Sequence, residues 1–221
     1  MFNIEKYMIS EEAFFSSVDD IYYNRELWES GKCNICFIIG VSGSGKTSMG
    51  WDFYDKDSSV ELIELDDLFC IKDHFSLANL KEYGSLIYSY FTSVGKRFYV
   101  GSEILEKLQR DDEYEGVLYP EFLKYAKEYA KSHKNKRFVI EGVSLFVFTK
   151  PEEYDDYPVF IKGTSVIKST IRASIRDSQK LNNRVARLAY IGKEFLHQGW
   201  RIRGDKKVDT WRNYFYRKMN P

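Results

Sequence analysis

Gly40-Val41-Ser42-Gly43-Ser44-Gly45-Lys46-Thr47 fits the pattern G-x-x-x-x-G-K-[ST] without a mismatch. The apolar run Ile35-Cys36-Phe37-Ile38-Ile39 precedes it, and residues 46–54 have the composition of a helix. A buried strand, a glycine-rich turn and a helix form the setting in which this pattern binds phosphate. Glycines let the backbone curl so that its N–H groups point inward at an anion. The start of the following helix adds unpaired N–H groups and the positive end of a dipole. Lys46 supplies a cation for the β- and γ-phosphates, and the Thr47 hydroxyl supplies a Mg²⁺ ligand. The candidate nucleotide-binding set is Gly40, Ser42, Gly43, Ser44, Gly45, Lys46, Thr47 and Ser48.

Outward from this loop, strands alternate with helices. Residues 60–65 (VELIEL) alternate in polarity and read as a second strand, 137–141 as a third and 158–162 as a fourth. Residues 76–132 read as mostly helical in two or three pieces, with Pro120 suited to the first turn of a helix over 120–132. Residues 165–180 and 184–197 read as Arg-rich helices. Upstream, Phe14, Val18, Ile21 and Tyr22 repeat at helical spacing, so residues 1–30 read as a helical extension that Gly31 ends. Strands separated by helices predict an α/β fold, a three-layer parallel sheet with helices on both faces. One domain over 31–221 accommodates it.

The chain has 221 residues, enough for a packed core without disulfide or metal staples. No apolar stretch approaches the roughly 18 residues of a membrane-spanning helix. The first ten residues lack the apolar core of a signal peptide. Three cysteines, Cys33, Cys36 and Cys70, form an odd, low count that fits a reducing cytoplasm. Cys33 and Cys36 make a C-x-x-C, but no second pair exists for a zinc site, and the pair enters an apolar run rather than opening a helix. Cys36 is therefore expected to be a small buried strand residue. Lys plus Arg and Asp plus Glu both number 33, for a formal net charge of zero. That zero is a cancellation: residues 162–218 hold 15 basic and 4 acidic residues, a net of +11, and the remainder of the chain carries −11. Such asymmetry points to an anionic partner for the C-terminal part, or to pairing of that part with an acidic body.

Four segments in order carry a resemblance. After the loop comes Leu65-Asp66-Asp67-Leu68-Phe69, then Val139-Ile140-Glu141-Gly142, then Arg172-Ala173-Ser174-Ile175-Arg176-Asp177. Over roughly 35–180 the chain resembles the P-loop kinases of small molecules, in particular the uridine kinase/phosphoribulokinase-like branch. These segments are similar to its D-D-F-Y, apolar-apolar-E-G and R-x-x-R-D stretches. The resemblance implies a nucleoside/nucleotide kinase-like P-loop fold, ATP and Mg²⁺ as donor and cofactor, and a lid at about 164–182. It implies Asp66 as the base that takes or orients the acceptor hydroxyl's proton, with a share in holding metal.

Elementary chemistry supports these assignments. Asp66 follows a strand, where ligands bind in open α/β sheets. Glu141 ends an otherwise apolar strand, where a carboxylate is costly unless it meets a cation, and it reads as a Mg²⁺ ligand through water. Gly142 would let the backbone pass close to the site. Arg172 and Arg176 are four residues apart, share one helix face, and are suited to clamp a transferring phosphoryl group. Asp177 would orient one of them. Where the branch usually has Arg-Gly, this chain has Ser178-Gln179-Lys180. Acceptor-region candidates are His74, Tyr83, Tyr88, Tyr90, Arg97, Tyr114 and Tyr119, and none matches a base-recognition pattern.

The expected activity is transfer of the γ-phosphoryl group of ATP to a hydroxyl of a small nucleoside- or sugar-like metabolite. A polynucleotide 5′-hydroxyl kinase and a nucleotide-dependent regulatory module are the alternatives. No D-x-x-G and no [NT]-K-x-D occurs in the chain, which disfavours a GTPase switch.

Overall fold

In the computed structural model, residues 18–65, 81–93, 112–179 and 198–221 are described, with the isolated positions 183, 186 and 189; side chains at 112–117, 166–167, 177 and 198–205 are not. The order of elements is β1 (Ile21–Tyr23), α1 (Arg25–Glu29), β2 (Ile35–Ile39), α2 (Lys46–Lys56), β3 (Val60–Glu64), α3 (Ser85–Ser93), α4 (Asp112–Ser132), β4 (Arg137–Glu141), α5 (Ser144–Phe148), β5 (Val159–Ile161), α6 (Val166–Ser178) and α7 (Gln198–Met219). The strands form one sheet in the order β1-β5-β2-β4-β3. Pairings among β2, β3, β4 and β5 are parallel, and β1 pairs antiparallel with β5.

The alternation of side chains along a strand sorts the core onto two faces. Ile35, Phe37 and Ile39 point to one face, where residues of α3, α4, α5 and α7 complete the larger cluster. Cys36 and Ile38 point to the other, where Trp28 of α1, Met49 and Phe53 of α2, Val139 and Phe160 complete a smaller one. This is a three-layer α/β arrangement. All five residues of β2 are buried, which explains why its sequence shows no polar alternation. Cys36 is fully buried as expected, and burial pushes its thiol well up from the ordinary value. The half-buried Cys33 donates its thiol to the Ile35 carbonyl at 3.3 Å. Among the described residues no helix is long and apolar enough to cross a membrane.

Three expectations need correction. Ile21 and Tyr22 lie in a strand, not in a helical extension, because the open edge of β5 offers them a hydrogen-bonding partner that local spacing cannot show. Residues 1–17 lie outside the described part. The sheet is accordingly mixed rather than wholly parallel. Pro120 does not open a helix; α4 runs through it from Asp112. An interior proline costs about 3 kcal/mol, which burial of Leu118, Tyr119, Phe122, Leu123, Ala126 and Ala130 on one face offsets. The reading of 184–197 falls almost entirely outside the described residues, while the basic C-terminal region does form a helix, α7.

Candidate functional site

The sheet's order places β2 between β4 and β5, both later in the chain. The chain leaves β2 for β3 on one side and crosses from β4 to β5 on the other, and where connections diverge in this way a crevice opens at the carboxyl ends of the strands. The loop of Gly40 to Thr47 lies there. Gly43 and Gly45 have φ of +79° and +94°, the left-handed region that favours glycine. Gly43 has a second reason to lack a side chain: a Cβ there would stand 2.3 Å from the Ser169 carbonyl of α6. Helix α6 thus rests directly on the loop.

The chemistry-bearing side chains converge on this turn. Lys46 is buried, and its ammonium donates to the Val41 carbonyl at 3.2 Å, across the loop's own span. Thr47 donates its hydroxyl to Glu141 Oε1 at 2.5 Å, although the two are 94 residues apart. Glu141 is only 4% exposed and sits level with Ile38 and Glu64 in the ladder. Arg176 of α6 donates to the Ser42 hydroxyl at 3.3 Å. The remaining loop hydroxyl, Ser44, is buried and lies where a Cβ on Gly40 would fall, which accounts for glycine at position 40.

An elongated cleft of about 980 Å³ begins beside the loop. Ser44, Gly45, Ser48, Lys162 and Arg172 surround its upper end; Met49, Phe53 and Phe160 are among its apolar walls. At the far end Arg137 lies 3.7 Å over the Trp28 ring and pairs with Asp57 at 3.1 Å, closing the cleft with a packed cation. Its volume falls in the range of small-molecule and cofactor sites.

The predicted residues therefore divide. Gly40, Ser42, Gly43, Lys46, Thr47, Glu141 and Arg176 meet at the loop, while Ser44, Gly45, Ser48 and Arg172 border the adjoining cleft. Asp66 and Asp67 lie outside the described residues. Their last described neighbour, Leu65, donates its N–H to the Glu141 carbonyl at 2.8 Å. Gly142 leaves room for the Leu65 side chain rather than for a ligand. The side chain of Asp177 is not described, and His74, Arg97 and the Tyr114 side chain also lie outside. Tyr90 and Tyr119 are fully buried in the larger core cluster, and Tyr83 and Tyr88 are partly buried against it.

The structure adds two residues that sequence reasoning missed, Lys162 and Asp20. Lys162 follows β5, and its N–H donates to the Ile39 carbonyl at 2.8 Å, which sets it level with Gly40. Asp20 accepts from Lys162 Nζ at 2.5 Å, the Gly163 N–H at 2.8 Å and the Tyr22 hydroxyl at 2.8 Å. Burial pushes the Asp20 carboxyl up, but these hydrogen bonds and the Lys162 charge prevail and hold it below its ordinary 3.8. A lysine closing a strand that flanks the loop was the available signal for Lys162. Nothing local marked Asp20.

Thr47 and Glu141 present hard oxygen donors side by side, one of them a buried carboxylate, and this fits Mg²⁺. Among the described residues no group of three or more His, Cys, Asp and Glu side chains is arranged to hold a metal. Compared with family models, curated proteins and solved structures, the chain matches none.

Proposed function

We propose that the protein is an ATP- and Mg²⁺-dependent phosphotransferase that moves the γ-phosphoryl group to a hydroxyl of a small nucleoside- or sugar-like metabolite. The observation that carries this reading is the Thr47–Glu141 contact of 2.5 Å. It joins the hydroxyl that closes the glycine-rich loop to the one acid that ends the neighbouring strand, in the crevice where α/β sheets bind ligands.

In this reading the loop N–H groups and Lys46 hold the β- and γ-phosphates. Thr47 and, through water, Glu141 would hold Mg²⁺, with Asp66 assigned a share in holding it; the ion would offset phosphate charge. Asp66 accepts the proton of the acceptor hydroxyl. The acceptor oxygen bonds to the γ-phosphorus as the bond to the β–γ bridging oxygen breaks, and the leaving oxygen departs on ADP. Arg176, already at Ser42 of the loop, and Arg172, beside the cleft, stabilise charge on the transferring group. The cleft next to Gly45 and Ser48 takes the nucleoside part of the donor.

Labelled ATP incubated with nucleosides, sugars and short oligonucleotides tests the reading. Transfer to a small acceptor supports it, and Asp66→Ala should lower that transfer by about 10²–10⁴-fold while keeping ATP binding. Unchanged transfer in Asp66→Ala removes the catalytic assignment. Transfer only to oligonucleotide ends turns the reading to a polynucleotide kinase. Slow hydrolysis with no acceptor turns it to a regulatory module.

A further inference from the structure

Lys162 stands apart from every motif in the sequence, yet the fold delivers it to the site. Its main chain continues the β5–β2 ladder by one step, so it stands beside Gly40, the first residue of the loop. A Cβ on Gly40 would stand 3.3 Å from both the Cβ and the carbonyl of Lys162. Its side chain is 22% exposed and borders the upper end of the cleft with Ser44, Gly45, Ser48 and Arg172. Position at the carboxyl end of a strand next to the loop strand is where ligand-contacting groups gather in such sheets.

The partner of this ammonium comes from elsewhere in the chain. Asp20 precedes β1, the strand that closes the sheet's edge. Residues 18–20 are pressed onto the turn after Lys162: the Val18 and Asp19 carbonyls leave no room for a Cβ on Gly163. Arg212 of α7 donates to the Asp19 carbonyl from the other side. The half-buried Lys162–Asp20 pair thus lies where the N-terminal strand, the C-terminal helix and the phosphate loop meet.

Resting on the nucleotide-binding reading above, we propose that Lys162 is a further phosphate-contacting residue, its ammonium shared between Asp20 and the phosphates of a bound nucleotide. The two ends of the ion pair then act in opposite directions on affinity. Removing the ammonium takes away an attraction for phosphate. Removing the carboxylate charge takes away a competitor for that ammonium and a repulsion of phosphate.

The test is calorimetric titration of the full chain with ADP and with inorganic tripolyphosphate, each with Mg²⁺, beside a thermal melt of every variant. Lys162→Met should weaken both ligands about tenfold, the worth of one charge-assisted hydrogen bond, and Lys162→Arg should restore most of that loss. Asp20→Asn keeps an acceptor for the Gly163 N–H and should tighten both ligands about two- to threefold, a modest gain because the pair is partly solvated. Opposite signs from the two ends cannot come from a merely structural latch. If both variants weaken binding together in step with a lower melting temperature, the pair is structural and the inference fails. If Lys162→Met leaves affinity unchanged while Lys46→Ala abolishes it, the inference fails and the nucleotide reading stands. If the wild-type protein binds neither ligand, both fail.

Discussion

The two faces of the sheet are built differently. Among the described residues, one carries four helices and a continuous cluster in which Phe37 packs edge-on to Tyr154 at 4.7 Å and Tyr157 at 5.7 Å, and Tyr154 meets Trp211 at 5.2 Å. Lys127, its ammonium pushed down by burial, lies 4.1 Å over the Tyr154 ring. The other face carries α2 and the five-residue α1, a small cluster, and the long cleft beside the loop. Apolar burial is the main source of stability, so the thick face holds most of it. The thin face has less packing and leaves an open cleft. Its apolar residues, Met49 and Phe53, are only partly buried and line the cleft.

Breaking each face should therefore give a different signature. Phe37→Ala on the thick face should cost about 3–5 kcal/mol in denaturant melts, with ligand affinity per folded molecule unchanged. Gly43→Ala should do the reverse. Its left-handed φ adds strain of about 1–2 kcal/mol, and the clash with Ser169 should displace α6 and its arginines from the loop, so nucleotide affinity falls further than stability does. Glu141→Gln should lower Mg²⁺-supported ATP affinity about tenfold, from the loss of a charged oxygen near the ion, and leave Mg²⁺-free affinity alone; comparing titrations with and without the ion checks this.

The smallest effect concerns acid. Asp20 is held below its ordinary 3.8 by its three donors. A group with a depressed native pKa contributes stability that is complete above its unfolded value and is lost as pH falls through the folded one. Below pH about 4 the wild-type protein should therefore lose stability more steeply than Asp20→Asn, as read from melting temperature across an acid series.

The sequence was most legible where local pattern and tertiary role coincide. The apolar run of β2, the alternation of β3, and Arg137 to Glu141 of β4 are strands because they are buried on one or both faces, and burial dictates their composition. The turn from Gly40 to Thr47 was legible because its glycines stand where φ is positive or a Cβ would clash. Thr47 and Glu141 were each read as metal ligands; the direct hydrogen bond between them was not read from the sequence and is seen only in the fold. β1 was misread: Ile21 and Tyr22 fall at helical spacing with Phe14 and Val18, but their state is decided by an edge 136 residues away, as the pairing of Tyr23 with Val159 shows. The helix through Pro120 was missed because a local rule against interior proline gave way to one buried face. The fate of the basic tail was not legible either. Lys218 pairs with Asp155 at 2.7 Å and Arg212 reaches Asp19, while Lys206 and Lys207 remain exposed. The charge asymmetry is thus in part an internal attraction between α7 and the acidic body.

The central claim is that the turn from Gly40 to Thr47 is a nucleotide phosphate site, and the most direct measurement is calorimetric titration of ATP with Mg²⁺ into the wild-type chain and Lys46→Ala. We predict saturable one-to-one binding to the wild type, weakened about 100-fold or more in Lys46→Ala by loss of a buried charge contact with little change in melting temperature. Equal affinity in the two proteins, or no binding to the wild type, would contradict it.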